Sequence, residues 1–77
     1  VDLYNEYVMT GLRTIWGISK EKVTDVFGTH FSDYLEKQAE KYLITNELYW
    51  DGDLLKITKK AKFLSDGIAS DLFMLKA

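Results

Sequence analysis

Few side chains in this sequence can do acid–base, nucleophilic or metal chemistry, and their spacing assembles no site. There is one histidine, His30, and no cysteine. A thiolate nucleophile, a disulfide and a cysteine-ligated iron–sulfur cluster therefore have no donor here. His30 opens a helical pattern without an acidic or nucleophilic residue beside it, which suits a solvated or capping side chain better than a base or a haem ligand. Asp25, Asp33, Asp66 and Asp71 fall at no interval typical of paired catalytic carboxylates or of a calcium loop. No Gly-rich phosphate cradle, nucleophile elbow or zinc pattern occurs. The chain reads as having no catalytic, cofactor-binding or metal-binding residue of its own.

What remains is the chemistry of contact. Lys56, Lys59, Lys60 and Lys62 cluster late in the sequence, and the plain reading of such a run is a solubilising face. Lys59, Lys60 and Lys62, however, fall at the expected positive end of the last helix, with Asp66 and Asp71 after them. That order opposes the helix dipole by about a few tenths of a kcal/mol per charge. The departure marks Lys59 and Lys60 as candidates to meet an acidic patch on a neighbouring domain or an anionic ligand. Tyr49 and Leu54, expected together on the outer face of a hairpin, are candidate interface residues. Trp16 and Trp50 sit at core spacing and are expected inside.

These residues are positioned by elements that the apolar periodicity outlines. Leu3, Tyr4, Tyr7, Val8, Gly11, Leu12, Ile15 and Trp16 follow the three-four spacing of a helix, with Asp2 as N-cap and Gly17 as a left-handed stop. Gly11 lies on the buried stripe, where it costs about 1 kcal/mol relative to alanine, so close approach of another backbone is the expected compensation. Ser19 is placed to cap a short helix, Lys20 to Gly28, with Val23, Val26 and Phe27 on one side. A third helix, His30 to Asn46, turns Phe31, Tyr34, Leu35, Gln38, Ala39, Tyr42 and Leu43 inward and Asp33, Glu36, Lys37, Glu40 and Lys41 outward.

At Glu47 the period changes from helical to alternating. "ELYWDGDLLKIT" predicts a hairpin turning at Asp51, Gly52 and Asp53, with Leu48, Trp50, Leu55 and Ile57 on one face and Tyr49, Leu54 and Lys56 on the other. Thr58 then caps a last helix whose stripe is Ala61, Leu64, Ile68, Leu72 and Leu75. The order helix, helix, helix, hairpin, helix defines a mainly α fold with a β-hairpin, an α+β arrangement like a winged helix. A lone hairpin is marginal in water, so Leu48 and Trp50 must dock on the helices.

Seventy-seven residues make one domain, and the apolar fraction of 47% is ample for a core. No apolar run is long enough to span a bilayer, and no secretory signal pattern opens the chain. The net charge of −2 gives no bulk attraction to nucleic acid. The third helix, which would be the reader in a winged helix, is acidic on its outer face, the wrong sign for phosphates. Beginning at Val1 inside an amphipathic pattern, the sequence is expected to be cut from a longer polypeptide.

"NEYVMTGLRTIWGIS", followed by a short and a long helix, resembles the C-terminal domain of the oxygen-independent coproporphyrinogen III oxidase family, and most of all its haem-chaperone (HemW-like) branch. Glu6, Met9, Gly11, Leu12, Arg13 and Gly17 carry the first block of the resemblance. Ile57, Thr58, Asp66, Ile68, Leu72 and Phe73 carry the second, with Ala61 where the family often has glycine. The resemblance implies that residues 1–77 are a C-terminal accessory domain of a cytoplasmic protein that handles porphyrin or haem. Its partner would be an upstream radical S-adenosylmethionine barrel in the same polypeptide. That barrel would hold a [4Fe–4S] cluster and S-adenosylmethionine, with haem as a further ligand of the parent. On the same reading Arg13 pairs with Glu6 or with a carboxylate elsewhere, or reaches a porphyrin propionate.

Overall fold

The computed structural model describes residues 2–74. The chain runs α1 (Asp2–Arg13), β1 (Ile18–Ser19), α2 (Lys20–Phe27), α3 (Thr29–Ile44), β2 (Leu48–Asp51), β3 (Leu54–Ile57), a 3-10 helix (Lys59–Leu64) and α4 (Ser65–Leu72). The expected helix-rich α+β class is observed. The hairpin is present, but it belongs to a three-stranded antiparallel sheet of order β1-β3-β2.

The third strand is the main addition to the sequence reading. Ile18 and Ser19 pair with Leu55 and Leu54, so β3 is bonded on both edges. Two residues carry too little periodicity to be seen in a sequence, and tertiary pairing alone makes them a strand. On the other side Leu48 faces Ile57 and Trp50 faces Leu55, the expected parity. Asp51 faces Leu54, which leaves Gly52 and Asp53 as the turn. Gly52 takes φ 61° at the first of the two positions, where a tight hairpin of matching twist needs a positive φ.

The turn is also fastened to α2. Ser19 caps that helix as expected, its hydroxyl accepting from the Lys22 N–H at 3.1 Å. The Asp53 carboxylate accepts from the Ser19 hydroxyl at 2.6 Å and from the Glu21 N–H at 3.1 Å. A carboxylate at the amide end of a helix complements its dipole and satisfies donors that would otherwise be orphaned. One aspartate thus ends the hairpin and starts a helix.

Tyr4, Val8 and Leu12 of α1 meet Ile18, Val23, Leu35, Ala39, Leu48, Leu55, Ile68, Ala69 and Leu72 in one buried core. Trp50 is half-buried against it, so the docking that the hairpin requires is observed. The Tyr4 hydroxyl donates to the Leu72 carbonyl at 3.0 Å, and burial pushes that phenol's pKa well above its ordinary value. Tyr4 also packs edge-on to Phe27, with centroids 5.8 Å apart at 88°. Beyond α4 the chain is clasped by side chains. Asn5 both donates to the Met74 carbonyl and accepts from its N–H, and Tyr34 donates to the Phe73 carbonyl at 2.8 Å.

Several expectations are corrected. The first helix stops at Arg13, short of Trp16, and Asp2 lies in its first turn rather than capping it. Ile15 and Trp16 are each 71% exposed, and Leu3 and Val26 also lie outside the core. The predicted last helix is two consecutive elements, a 3-10 helix followed by α4. The Thr58 hydroxyl caps nothing and donates instead to the Glu47 carbonyl at 3.2 Å. Leu64 is exposed, and Leu75 lies outside the described residues. The division also moves the lysines away from the N-terminus of the last α-helix. Lys59, Lys60 and Lys62 belong to the 3-10 helix, while α4 opens with Asp66 in its first turn.

Gly11 explains why α1 ends where it does. A Cβ there would lie 2.7 Å from Ile18 Cγ1 and 2.8 Å from the Gly17 carbonyl oxygen. Helix and returning chain touch with no room for a side chain, as the cost of a buried helical glycine implied. At Gly67, in α4, an added methyl group would instead point into open space. Gly11→Ala is therefore expected to destabilise by about 1–3 kcal/mol, and Gly67→Ala to stabilise by up to about 1 kcal/mol. Urea unfolding of the two variants beside the parent measures both.

Candidate functional site

The loop from Thr14 to Gly17 holds its exposed apolar residues in place. The Thr14 hydroxyl donates to the Gly11 carbonyl and accepts from the Trp16 N–H, each at 3.3 Å. Gly17 takes φ 74°, and a Cβ on it would lie 2.7 Å from the Leu55 carbonyl oxygen. A left-handed residue wedged against β3 leaves the loop little freedom. Ile15 and Trp16 are therefore presented to solvent by a tight turn, outside the core.

Beside this loop lies a groove of about 360 Å³ lined by Thr14, Ile15, Tyr49, Lys56, Ile57, Lys59 and Lys62. Strand register builds its floor. Tyr49 and Lys56 are directly opposed across the hairpin, and both point away from the face that carries Leu48 and Leu55. Lys56 is anchored, its Nζ 2.9 Å from Asp51 Oδ2. Among the described residues no acidic side chain lies within ion-pair distance of Lys59 or Lys62. Tyr49 is 44% exposed. The result is an apolar trough with a cationic rim.

Of the candidate contact residues, the structure brings Tyr49 and Lys59 together in this groove. Lys60 is exposed on the same 3-10 helix but does not line it, and Leu54 sits half-buried at the turn end of the hairpin, opposite Ser19 and Asp51. Arg13 is adjacent in sequence, yet its guanidinium turns to α4. Nη2 and Nε donate to Asp66 Oδ1 at 2.9 and 3.2 Å. Of the expected partners, Glu6 or a carboxylate elsewhere, the structure shows the second, and the contact joins the basic end of α1 to the acidic start of α4 and suits both dipoles. Ile15, Lys62 and Ile57 were not singled out as contacts by sequence reasoning. Ile15 and Trp16 continue the helical period and so read as core; the early signal against that was Thr14 between two glycines.

The opposite charge gathers elsewhere. Asp33, Glu36, Lys37 and Glu40 of α3 line a second groove with Leu43 and Trp50. Lys20 reaches Glu36 at 2.5 Å, which raises the lysine's pKa. Tyr42 donates a short hydrogen bond to Asp71, joining α3 to α4, with Lys41 3.4 Å from the same carboxylate. Burial, then the Asp71 bond, push the Tyr42 phenol up to about 12. The bond from Tyr42, helped by Lys41, holds the Asp71 carboxyl below its ordinary range.

His30 is exposed at the start of α3, with its ring edge-on to Phe31. It borders none of the grooves described. Among the described residues no group of three or more His, Asp or Glu side chains could hold a metal ion. The donor set does not fit an iron–sulfur cluster either, since the chain has no cysteine. No helix of the described residues is long and apolar enough to cross a membrane.

Fold and surface together define a small helix-rich module with a three-stranded sheet and two surface grooves of differing charge. The family model described as HemN C-terminal domain matches residues 2–64, from α1 through the 3-10 helix. The chain belongs to the HemN C-terminal domain family. The match is to that family and does not distinguish a haem-chaperone branch within it. No curated protein and no solved structure was found to match the chain.

Three outcomes follow from these electrostatics. Arg13 and Asp66 are both well exposed, so Arg13→Ala should cost less than about 1 kcal/mol, with most of the loss gone at high salt. The Asp71 contribution is present above the ordinary carboxylate pKa and lost as pH falls through the lowered native value. Asp71→Asn should flatten the acid limb of stability against pH. The Tyr42 contribution runs the other way, complete below the ordinary phenol value and lost as pH rises through about 12. Urea midpoints across the pH range test both slopes.

Proposed function

We propose that this chain is a non-catalytic C-terminal accessory domain of a radical S-adenosylmethionine protein that handles porphyrin or haem in the cytoplasm. Membership of the HemN C-terminal domain family over residues 2–64 carries the reading. The residue inventory agrees with it: with no cysteine and a single exposed histidine, cluster and S-adenosylmethionine chemistry belong to the upstream barrel. The domain's part is mechanical. It offers a rigid core, a sheet braced by three strands, and an exposed apolar and cationic surface to sit against that barrel. Ile15, Trp16 and Tyr49 leave more apolar surface in water than folding alone requires, as an interface does before it is covered.

One observation favours a second description. The strand between the first two helices joins the hairpin, as in a winged helix, and supports a free-standing protein-interaction module. Its acidic third helix speaks against DNA.

The parent reading frame separates the two. A Cys-x-x-x-Cys-x-x-Cys stretch upstream is expected, and the upstream part, expressed separately, should bind this chain in size-exclusion chromatography. A reading frame without that stretch, or an upstream part that ignores the chain, overturns the first proposal.

A further inference from the structure

Three properties of the groove beside the Thr14–Gly17 loop specify an occupant. Its apolar part is made by Ile15 and the Tyr49 ring, with Ile57 lining the groove from the end of β3. Its rim carries Lys56, Lys59 and Lys62 and no acidic residue, in a chain whose net charge is −2. Its walls are fixed, because Thr14 and Gly17 lock the loop and Tyr49 and Lys56 are registered on the hairpin.

We infer that this groove docks an acidic polypeptide segment carrying one bulky aliphatic side chain. The aliphatic group packs between Ile15 and the Tyr49 ring, while carboxylates on either side meet the Lys59 and Lys62 ammonium groups. Burial of the anchor supplies most of the affinity, since exposed lysine–carboxylate pairs are each worth less than about 1 kcal/mol. The lysines set orientation and speed encounter. Lys56 contributes less, being held by Asp51. A concave floor suits a protruding side chain better than a flat lipid surface. The inference deepens the accessory-domain proposal by naming the chemistry of the surface it docks against, and rests on it for the view that this face is covered in the parent protein.

The test uses the 77-residue chain, isotope-labelled for amide NMR, and an acetylated, amidated Glu-Asp-Glu-Leu-Glu-Asp peptide. Shift changes are expected at Thr14 to Trp16, at Tyr49 and from Lys56 to Lys62. A peptide with serine for leucine should bind at least about tenfold more weakly, and so should the Tyr49→Ala and the combined Lys59→Glu, Lys62→Glu variants. These side chains are exposed, and unchanged amide spectra elsewhere verify the fold. Lys60→Glu alters charge on the same helix but off the groove, and should leave the affinity within about twofold of the parent.

Absence of shifts, equal binding of the serine peptide, or equal loss in Lys60→Glu overturns the inference. So does binding of phosphatidylserine-containing vesicles or of duplex DNA through these residues while the peptide fails. Failure of the peptide would leave the family-based proposal standing. A reading frame without the three-cysteine stretch would remove that proposal while a peptide-binding groove remained.

Discussion

Much of this structure depends on one close approach, where α1 at Gly11 meets the chain returning through Gly17 and Ile18. The distances there leave no space for a Cβ. Because the backbones can touch, Ile18 reaches the core beside Leu12, and Ser19 comes within reach of both β3 and α2. The third strand, the cap on α2 and the tie to Asp53 all follow. A methyl group at Gly11 would push both on the buried Ile18 side chain and on the Gly17 backbone, and neither yields much in a packed interior.

The same approach shapes the surface. Once α1 has ended at Arg13, three residues must cover the distance to Gly17, and they do so in a hydrogen-bonded turn that faces away from the core. Ile15 and Trp16 stay outside the core, while Ile18 just beyond Gly17 is fully buried in it. The exposed apolar surface is thus a consequence of how the core closes. It stands next to the outer face of the hairpin, and the 3-10 helix supplies lysines to its edge.

Charge is distributed by element. Acidic side chains dominate the outward face of α3, while Lys59 and Lys62, after the hairpin, line the groove. The ion pairs seen lie mostly between elements: Arg13 to Asp66 joins α1 to α4, Lys20 to Glu36 joins α2 to α3, and Lys41 and Tyr42 join α3 to Asp71. Exposed pairs add little energy singly, but each fixes the relative placement of two helices. In a chain near the lower size limit for a single core, such ties supplement a modest apolar interior.

The sequence alone determined those features that depend on neighbours within a turn or two. Helical periods located α1 to α3, the Ser19 cap appeared where its spacing required, and alternation with Asp51, Gly52 and Asp53 set the hairpin and its parity. The block from Glu6 to Gly17 also carried the family resemblance that the match over residues 2–64 supports at family level. Tertiary structure alone decided what depends on distant partners. It made Ile18 and Ser19 a strand, turned Arg13 to Asp66, split the last helix and put Ile15 and Trp16 outside. The period of an apolar stripe says which residues share a helix face. It does not say where the helix stops, because that was set by an approach between backbones, and a glycine leaves no side chain in the pattern to announce it.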